Sequence, residues 1–313
     1  MPRLIGQGNN IAGALDPAPG AAATLRAPTD LGAAPSVQHH DWTCTVTPGQ
    51  AWGEDPLAAS ITAFPGPIAR VLTAHDRPAG LLSQRRVFLA RAWRASAGEW
   101  DDAAATALGP AVGVARGGVY HFASLADLVA GTGAQPLTHP YLAGADSIAL
   151  TAAEARVLLV ARRGAASHVL QLAFSARGGP ELSVLEPFEG LGVVAVTGGP
   201  GNRFGAVTAA GEGFVLDALG GVEGVRVPRG GGEGAEEEDE EEVAALALGA
   251  GFELALTPSG VWARGDNAFG QLGLPGAAVP EWTRMPLPPG RVVGMHAGRM
   301  SAVFVVAGGD DAP

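Results

Sequence analysis

Short apolar runs separated by glycine and proline turns recur along the whole chain. The stretch from Val243 to Gly265 shows the pattern most clearly. An alternating run ends at Gly249–Gly251, a second run follows, and Pro258–Gly260 turns into a third. Alternation with a period of two indicates half-buried β-strands, and turn residues mark their ends. The pattern therefore predicts an all-β chain built from many short strands.

The same plan of strands and turns repeats, with starts near positions 37, 68, 111, 148, 193, 243 and 292. Seven starts give units of about 45 residues, which is long enough for the four short strands of a propeller blade. The last copy, from Val292, has only two strands, and the segment Leu4 to Leu15 supplies what is missing. We expect a single closed seven-bladed β-propeller over residues 1–313, with the last blade shared by N- and C-terminal strands. Closure would leave no open sheet edges.

The stretch from Val261 to Leu274 carries the most specific motif. Its G-D-N-x-F-G-Q-L-G core, from Gly265 to Gly273, places glycines where a chain turns sharply. This core resembles the repeat signature of the regulator-of-chromosome-condensation propeller family. The N-terminal segment resembles the same corner, and the matching positions are Gly6, Asn9, Gly13 and Leu15. The resemblance implies the propeller fold that the repeats predict.

Composition agrees with a strand-rich chain. The sequence has 47 glycines and 24 prolines with only 16% charged residues, and glycine and proline both oppose helices. We expect no membrane span and no secretory leader, because neither a long apolar run nor an apolar signal core is present. The single cysteine, Cys44, excludes an internal disulfide framework and suits a reducing compartment. These features favour the cytosol or the nucleus.

The net charge is −11, and part of it comes from the run Glu236 to Glu242. We interpret residues 230–242 as an acidic, disordered loop insertion in the propeller, because their composition cannot bury apolar surface. All 20 basic residues are arginine, and they form no concentrated stripe. Direct binding to nucleic acid is therefore not expected.

Catalytic motifs are scarce. The glycine patterns lack the strand–turn–helix context of a dinucleotide fingerprint, and there is neither a phosphate-binding Walker loop nor a G-x-S-x-G elbow. Cys44 with His39 and His40 lacks the spacing of a closed zinc site. We expect no enzyme activity, no metal and no cofactor.

Binding of another protein at the surface is the function that remains. If the copies are aligned on the turn before the second strand, these turns emerge at one end of the ring and gather arginine, methionine and aromatic side chains, which are enriched at protein interfaces. The predicted partner-binding residues are Trp42, His75, Arg77, Arg203, Phe204, Phe252 and Met300. The alternative is that some of these side chains fold back onto their own blades. Trp52, Trp262 and Phe269 are interpreted as packing residues.

Within the family, a bare acidic ring of this length most resembles the fungal alpha-tubulin-suppressor, or killer-toxin-insensitivity, propellers. That resemblance implies a non-catalytic scaffold, a monomer or heterodimer, for a small zinc-ribbon (CSL-type) electron carrier. Through the carrier it implies a role in Elongator-dependent modification of tRNA wobble uridines and in diphthamide synthesis. Two alternatives stay open: guanine-nucleotide exchange on a small GTPase, and an adaptor of a chromatin-modifying enzyme. A basic anchoring tail, which chromatin binding would need, is absent from the sequence.

Overall fold

A computed structural model shows antiparallel β-sheets along the chain. It describes residues 2–10, 15, 24–33, 36–37, 39–41, 44–47, 50–53, 55, 60–61, 64–74, 77–90, 93–175, 179–229 and 240–307. In chain order the strands are β1 (Arg3–Asn9), β2 (Thr24–Ala33), β3 (His39–His40), β4 (Cys44–Thr47), β5 (Gln50–Gly53), β6 (Arg70–Ala74), β7 (Arg77–Ser83), β8 (Arg86–Leu89), β9 (Arg94–Ala95), β10 (Asp102–Ala105), β11 (Ala111–Ala115), β12 (Gly118–Phe122), β13 (Gln135–Leu137), β14 (Ser147–Ala152), β15 (Arg156–Arg163), β16 (Ala166–Ala173), β17 (Glu181–Val184), β18 (Val193–Gly199), β19 (Arg203–Thr208), β20 (Gly213–Leu216), β21 (Val222–Val225), β22 (Ala245–Leu248), β23 (Phe252–Thr257), β24 (Gly260–Asp266), β25 (Ala278–Arg284), β26 (Val292–Ala297) and β27 (Ser301–Val306).

These strands form a β-propeller, as the sequence predicts. Sheet 1 has the order β2-β1-β27-β26; the others are consecutive, namely sheet 2 (β3–β5), sheet 3 (β6–β9), sheet 4 (β10–β13), sheet 5 (β14–β17), sheet 6 (β18–β21) and sheet 7 (β22–β25). In the described ranges six sheets have four strands each, and sheet 2 has three. The predicted seven four-stranded blades are thus found for six sheets only.

Helical structure is sparse. A short helix, α1 (Leu125–Ala130), lies between β12 and β13, and Ser124 caps it by accepting a hydrogen bond from the Asp127 amide. A 3₁₀ turn covers Glu186–Phe188. Within the described residues, no helix has the length and apolar character needed to cross a membrane.

The predicted pairing of N-terminal with C-terminal strands is present in sheet 1. Strand β1 pairs with β27 from Arg3 opposite Val306 to Gly8 opposite Ser301, and it pairs with β2 on its other edge. Leu4 and Ile5 on β1 are each only 1% exposed. The N-terminal strand is therefore an interior strand of a sheet that C-terminal residues complete.

Apolar side chains fill the space between consecutive sheets. Ile5, Phe252 and Phe304 share one core cluster, which joins sheets 1 and 7. Cys44 and Leu81 belong to another, which joins sheets 2 and 3. First strands of neighbouring sheets lie against each other, with β26 taken as the first strand of sheet 1: β10 contacts β6 and β14, β18 contacts β14 and β22, and β26 contacts β22 and β3. Sheets packed face to face in this way bury one continuous core per neighbouring pair.

The family-like corner after β24 is held by one asparagine. Asn267 Oδ1 accepts a hydrogen bond from the Leu272 amide at 2.8 Å, and its Nδ2 donates to the carbonyls of Leu274 and Gly276. An equivalent corner follows β1, where Asn10 Oδ1 accepts from the Leu15 amide at 2.8 Å.

The N-terminal match therefore needs a correction. Gly8 and Gly265, two residues before each asparagine, have φ values of 109° and 107°. The positions equivalent to Gly265 and Asn267 are thus Gly8 and Asn10, and the predicted match to Gly6 and Asn9 is wrong. The corner is set by the hydrogen-bonding asparagine, and the repeated glycines around it made the alignment ambiguous.

The repeat starts agree with the first strands except in sheet 4. Its first strand is β10, beginning at Asp102, whereas position 111 begins the second strand, β11. Strand β10 contains Ala103, Ala104 and Ala105, all buried. Their side chains are too small to show an alternating apolar pattern, so this strand could not be predicted from periodicity.

The acidic insertion is described only at its end. Residues 230–239 lie outside the described residues, so their predicted disorder remains a prediction. Glu240 bridges to Pro228, the Glu241 amide donates to the Val227 carbonyl at 2.8 Å, and the Glu241 carboxylate accepts from the Ser259 amide. The predicted insertion, 230–242, therefore ends in three residues that contact sheets 6 and 7.

This boundary changes what an excision should do. We expect removal of residues 230–239 to leave the melting temperature nearly unchanged, because their composition offers no apolar surface to bury and a shorter loop costs little entropy. Removal of 233–242 should lower it, because the hydrogen bonds of Glu241 are lost. Differential scanning fluorimetry of both deletions decides the matter. Equal melting of the two variants would contradict this boundary.

Candidate partner-binding site

The turns between first and second strands lie at one end of the sheets, which we call the mouth end. They comprise Asp41 in sheet 2 and residues 106–110, 153–155, 200–202, 249–251 and 298–300 in sheets 4, 5, 6, 7 and 1. A cavity of about 240 Å³ opens among them, and its lining comes from six sheets. The lining residues are His40, Asp41, Val71, Thr73, Ala105, Ala107, Ala152, Ala153, Glu154, Gly198, Gly199, Pro200, Ala297, Gly298 and Arg299.

Small residues allow the first strands to approach one another here. A Cβ atom added to Gly198 would overlap the Ala152 carbonyl oxygen of sheet 5, and one added to Gly199 would lie 2.5 Å from Leu248 Cβ of sheet 7. Only glycine fits such a close approach of backbones. The cavity is therefore a narrow depression with fixed walls between closely packed strands.

One ion pair crosses this cavity. Arg299 Nη2 of sheet 1 lies 3.4 Å from Glu154 Oε1 of sheet 5, and the same carboxylate oxygen accepts from the Gly201 amide at 3.0 Å. The two side chains are 38% and 35% exposed, so both remain accessible to a partner. Their sheets are not neighbours, because sheets 6 and 7 lie between them. The pair thus spans the mouth.

The mouth end also exposes two large apolar side chains. Leu219, between β20 and β21, is 96% exposed, and Leu108, between β10 and β11, is 57% exposed. Asp217 fixes the Leu219 loop by accepting hydrogen bonds from the amides of Leu219 and Gly221, and these bonds hold the pKa of its carboxyl below the usual value. A single exposed leucine is common on a protein surface, so these two side chains mark apolar positions available to a partner at the mouth end.

Two predicted partner-binding residues are core residues. Phe204 is 1% exposed and Phe252 is 0% exposed. Each lies near the start of a second strand, and its side chain packs between two sheets. Successive side chains on a strand point to opposite faces, so a residue next to a turn can face the core and not the solvent. Their predicted presence on the rim is wrong, and the alternative that such side chains fold back is correct for both.

Arg203 is engaged within the protein. Its guanidinium forms an ion pair with Glu253 of sheet 7, whose other carboxylate oxygen accepts from Arg264 Nε at 2.8 Å. Glu253 is almost fully buried, so the pairing links sheets 6 and 7 and leaves little of Arg203 for a partner. Structural ion pairing is the role that its geometry supports.

The other predicted positions are only partly described. Met300 is half-buried in the turn between β26 and β27. Arg77 begins β7, but its side chain lies outside the described residues, as do Trp42 and His75 altogether. Their role in binding remains a prediction. Of the packing residues, Trp262 is buried as expected, and Phe269 is half-buried.

Glu154, Leu219 and Arg299 are not among the partner-binding residues predicted from the sequence. Glu154 occupies the sheet 5 turn that is equivalent to the Arg299 turn of sheet 1, so alignment of all seven turns was the available signal. No sequence signal pairs two residues 145 positions apart.

The residues near Cys44 do not favour a metal. His40 Nδ1 lies 2.8 Å from Thr45 Oγ1, and His40 Nε2 lies 2.9 Å from Ser301 Oγ. Both ring nitrogens therefore have hydroxyl partners, and Cys44 is buried. Across the described part of the chain, no three histidine, cysteine, aspartate or glutamate residues are grouped as a metal site.

Comparisons with known proteins support the fold. The solved structure of human WBSCR16 is similar with a TM-score of 0.65 and 16% identity, over 98% of this chain and 100% of that one. The structure of Prp20p from Saccharomyces cerevisiae, described with its binding properties to Gsp1p and histones, is similar with a TM-score of 0.69 and 10% identity, over 99% of this chain and 93% of that one. No protein-family model and no curated protein sequence matches the chain. At such identities the likeness establishes the propeller fold alone.

Proposed function

We propose that this chain is a non-catalytic propeller scaffold, closed as a ring of seven sheets, that binds a small protein at its mouth end. Core clusters join sheets 1 and 7 and each consecutive pair from sheet 2 to sheet 7, and β26 of sheet 1 contacts β3 of sheet 2, which supports closure. The observation that carries the binding role is the accessible Glu154–Arg299 pair across a cavity with fixed walls. Leu108 and Leu219 supply apolar contacts at the same end.

The resemblance drawn from the sequence makes a small, acidic zinc-ribbon carrier of the CSL type the first partner to test. Arg299 suits such a partner, because its planar guanidinium pairs with carboxylates at two points. The carrier would then connect the scaffold to Elongator-dependent tRNA modification and to diphthamide synthesis in the cytosol or nucleus. These roles rest on the resemblance drawn from the sequence.

A second candidate is guanine-nucleotide exchange on a small GTPase. The likeness in fold to Prp20p, whose described binding properties concern Gsp1p and histones, favours it. Two measurements separate the candidates. If the chain is a scaffold for the carrier, isothermal titration should detect binding of the purified carrier. If it is an exchange factor, the chain should accelerate release of a labelled guanine nucleotide from a GTPase. A chromatin-modifying enzyme recovered from lysate on the immobilised chain would point to the adaptor role.

The ion pair makes a directional prediction for binding of the acidic carrier. Glu154→Gln should raise affinity by about three- to tenfold, because it removes a carboxylate that repels the acidic carrier, while the glutamine oxygen can still accept from the Gly201 amide. Arg299→Gln should lower affinity by a similar factor. Titration calorimetry of both variants measures the two changes.

The matched control is Arg3→Gln. Arg3 forms an exposed ion pair with Asp30 on sheet 1, away from the mouth turns, and its loss should leave affinity unchanged. All three variants should melt near the parent temperature, because each affected pair is exposed. Changes of the same sign in Glu154→Gln and Arg299→Gln would exclude the mouth as the binding site.

A further inference from the structure

A second groove lies at the opposite end of the sheets, on sheet 4. It has a volume of about 410 Å³ and lies between the β11–β12 hairpin and the segment that links β13 to β14. Its lining is Gly117, Gly118, Val119, Leu137, Thr138, His139, Pro140, Leu142 and Ala143. Strand β13 pairs only with Val119, Tyr120 and His121 of β12, so the Gly118 end of β12 has no outer neighbour there.

Arginines flank this groove on both sides. Arg116 adjoins Gly117 in the hairpin, with φ of 51°, and its exposed side chain has no ion pair within the described residues. On the other wall, Arg163 donates to the carbonyls of Gly144 and Ala143 at 3.0 and 3.1 Å. These bonds orient its guanidinium beside the groove, and no described carboxylate lies within ion-pair distance of it.

Nearby carboxylates already have partners. Asp101 binds the Arg85 guanidinium at 2.8 Å and accepts from the Arg116 amide, and Asp146 accepts from the Gly164 amide. The guanidinium groups of Arg116 and Arg163 therefore keep unused donors beside an apolar groove. A surface of this kind fits an anionic group attached to an apolar one.

We infer that this groove binds an extended acidic segment of a partner protein, with carboxylates on Arg116 and Arg163 and an apolar side chain between them. Guanidinium–carboxylate pairs can form two parallel hydrogen bonds, which fixes orientation as well as adding affinity. Gly118, which has no partner on β13, adds the backbone groups of one residue to this site.

A protein segment fits better than a nucleic acid. At the same end, sheet 6 carries Glu212 in its hairpin, and Glu240 and Glu242 follow before sheet 7. A long polyanion that left the groove toward these residues would meet repulsion, and the chain has a net charge of −11. A short acidic segment needs only the local charges, and the leucine, proline and valine lining suits its apolar residue.

The test is fluorescence anisotropy of a labelled peptide with glutamates on both sides of one leucine, titrated with the full chain. We expect saturable binding that weakens with salt, and at least about tenfold weaker binding for Arg116→Glu combined with Arg163→Gln. Arg116→Glu alone should show most of this loss of affinity. The Arg116 side chain forms no hydrogen bond or ion pair within the described residues, so this variant should fold like the parent. The matched control is the double variant Arg284→Glu with Arg291→Glu. It alters exposed arginines at the same end of the sheets, but beside sheets 7 and 1. The peptide affinity of this control should change less than twofold.

Several results would overturn this inference: no binding of the peptide, equal binding of a peptide with glutamines in place of glutamates, or equal losses in the control variant. Oligothymidine that binds more tightly than the peptide through Arg116 would reassign the groove to nucleic acid. The groove and the mouth lie at opposite ends of the sheets. Arg116 variants that still bind the mouth partner would therefore separate a failure here from a failure of the proposed scaffold function.

Discussion

Removal of residues 1–15 should abolish the cooperative unfolding transition of the whole chain. Strand β1 lies inside sheet 1 with β27 on one edge and β2 on the other, so its loss leaves two strands without their partner. Buried Leu4 and Ile5 would also be lost, and truncation of one such side chain to alanine typically costs about 2–5 kcal/mol. Because domains are stable by only about 5–15 kcal/mol, the deletion removes a large share. Calorimetry and circular dichroism measure the outcome.

Two point variants in β1 give this deletion its scale. Ile5→Ala should lower the free energy of unfolding by about 2–5 kcal/mol, because its side chain lies in the core that joins sheets 1 and 7. Arg3→Ala, in the same strand, removes an exposed ion pair with Asp30 and should cost about 1 kcal/mol or less. If the deleted chain melted at the parent temperature, β1 would not be needed to hold the sheets together.

Gly265→Ala should be among the most destabilising single substitutions. Gly265 has φ of 107°, a conformation that costs other residues about 1–3 kcal/mol. An added Cβ would also overlap the Gly251 carbonyl oxygen and lie 2.7 Å from Phe252 Cα, and both are backbone atoms that cannot move aside. Such overpacking typically adds about 1–3 kcal/mol. Chemical denaturation of the variant measures the sum.

Gly109→Ala is the matched control, because Gly109 has φ of 108° and no heavy atom within 4 Å of an added Cβ. The free energy of unfolding of Gly109→Ala should fall only by the cost of placing alanine at a positive φ. Gly8→Ala should resemble Gly265→Ala, because its Cβ would lie 2.5 Å from the Met300 carbonyl oxygen. Equal effects of the substitutions at Gly109 and Gly265 would show that close backbone approach does not decide stability at this corner.

Strands and turns could be predicted because glycine and proline positions mark them along the chain. The predicted starts at 193 and 292 coincide with the first residues of β18 and β26. Strand β10 was missed because alanine carries no visible alternation. The binding rim was less accessible to prediction, since a shift of one residue moves a side chain to the other face of a strand. Phe204 and Phe252 were assigned to the surface for this reason.

Contacts between sheets lay beyond sequence reasoning. Arg203 and Glu253 are 50 residues apart, and their pairing depends on the packing of sheet 6 against sheet 7. Glu154 and Arg299 meet only because two non-neighbouring sheets face the same cavity. Local patterns specify strands and turns, whereas partners in different sheets follow from how the sheets pack against one another.

The pairing of β1 with β27 has a consequence for synthesis on the ribosome. Arg3 pairs with Val306, so β1 is made roughly 15–60 s before its partner at translation rates of about 5–20 residues per second. During that interval one edge of β1 has free backbone donors and acceptors, which can pair with other nascent chains. The completed propeller has no such edge on β1. The nascent chain is therefore most vulnerable to aggregation before its last strand emerges, and this is the stage at which a chaperone would protect it.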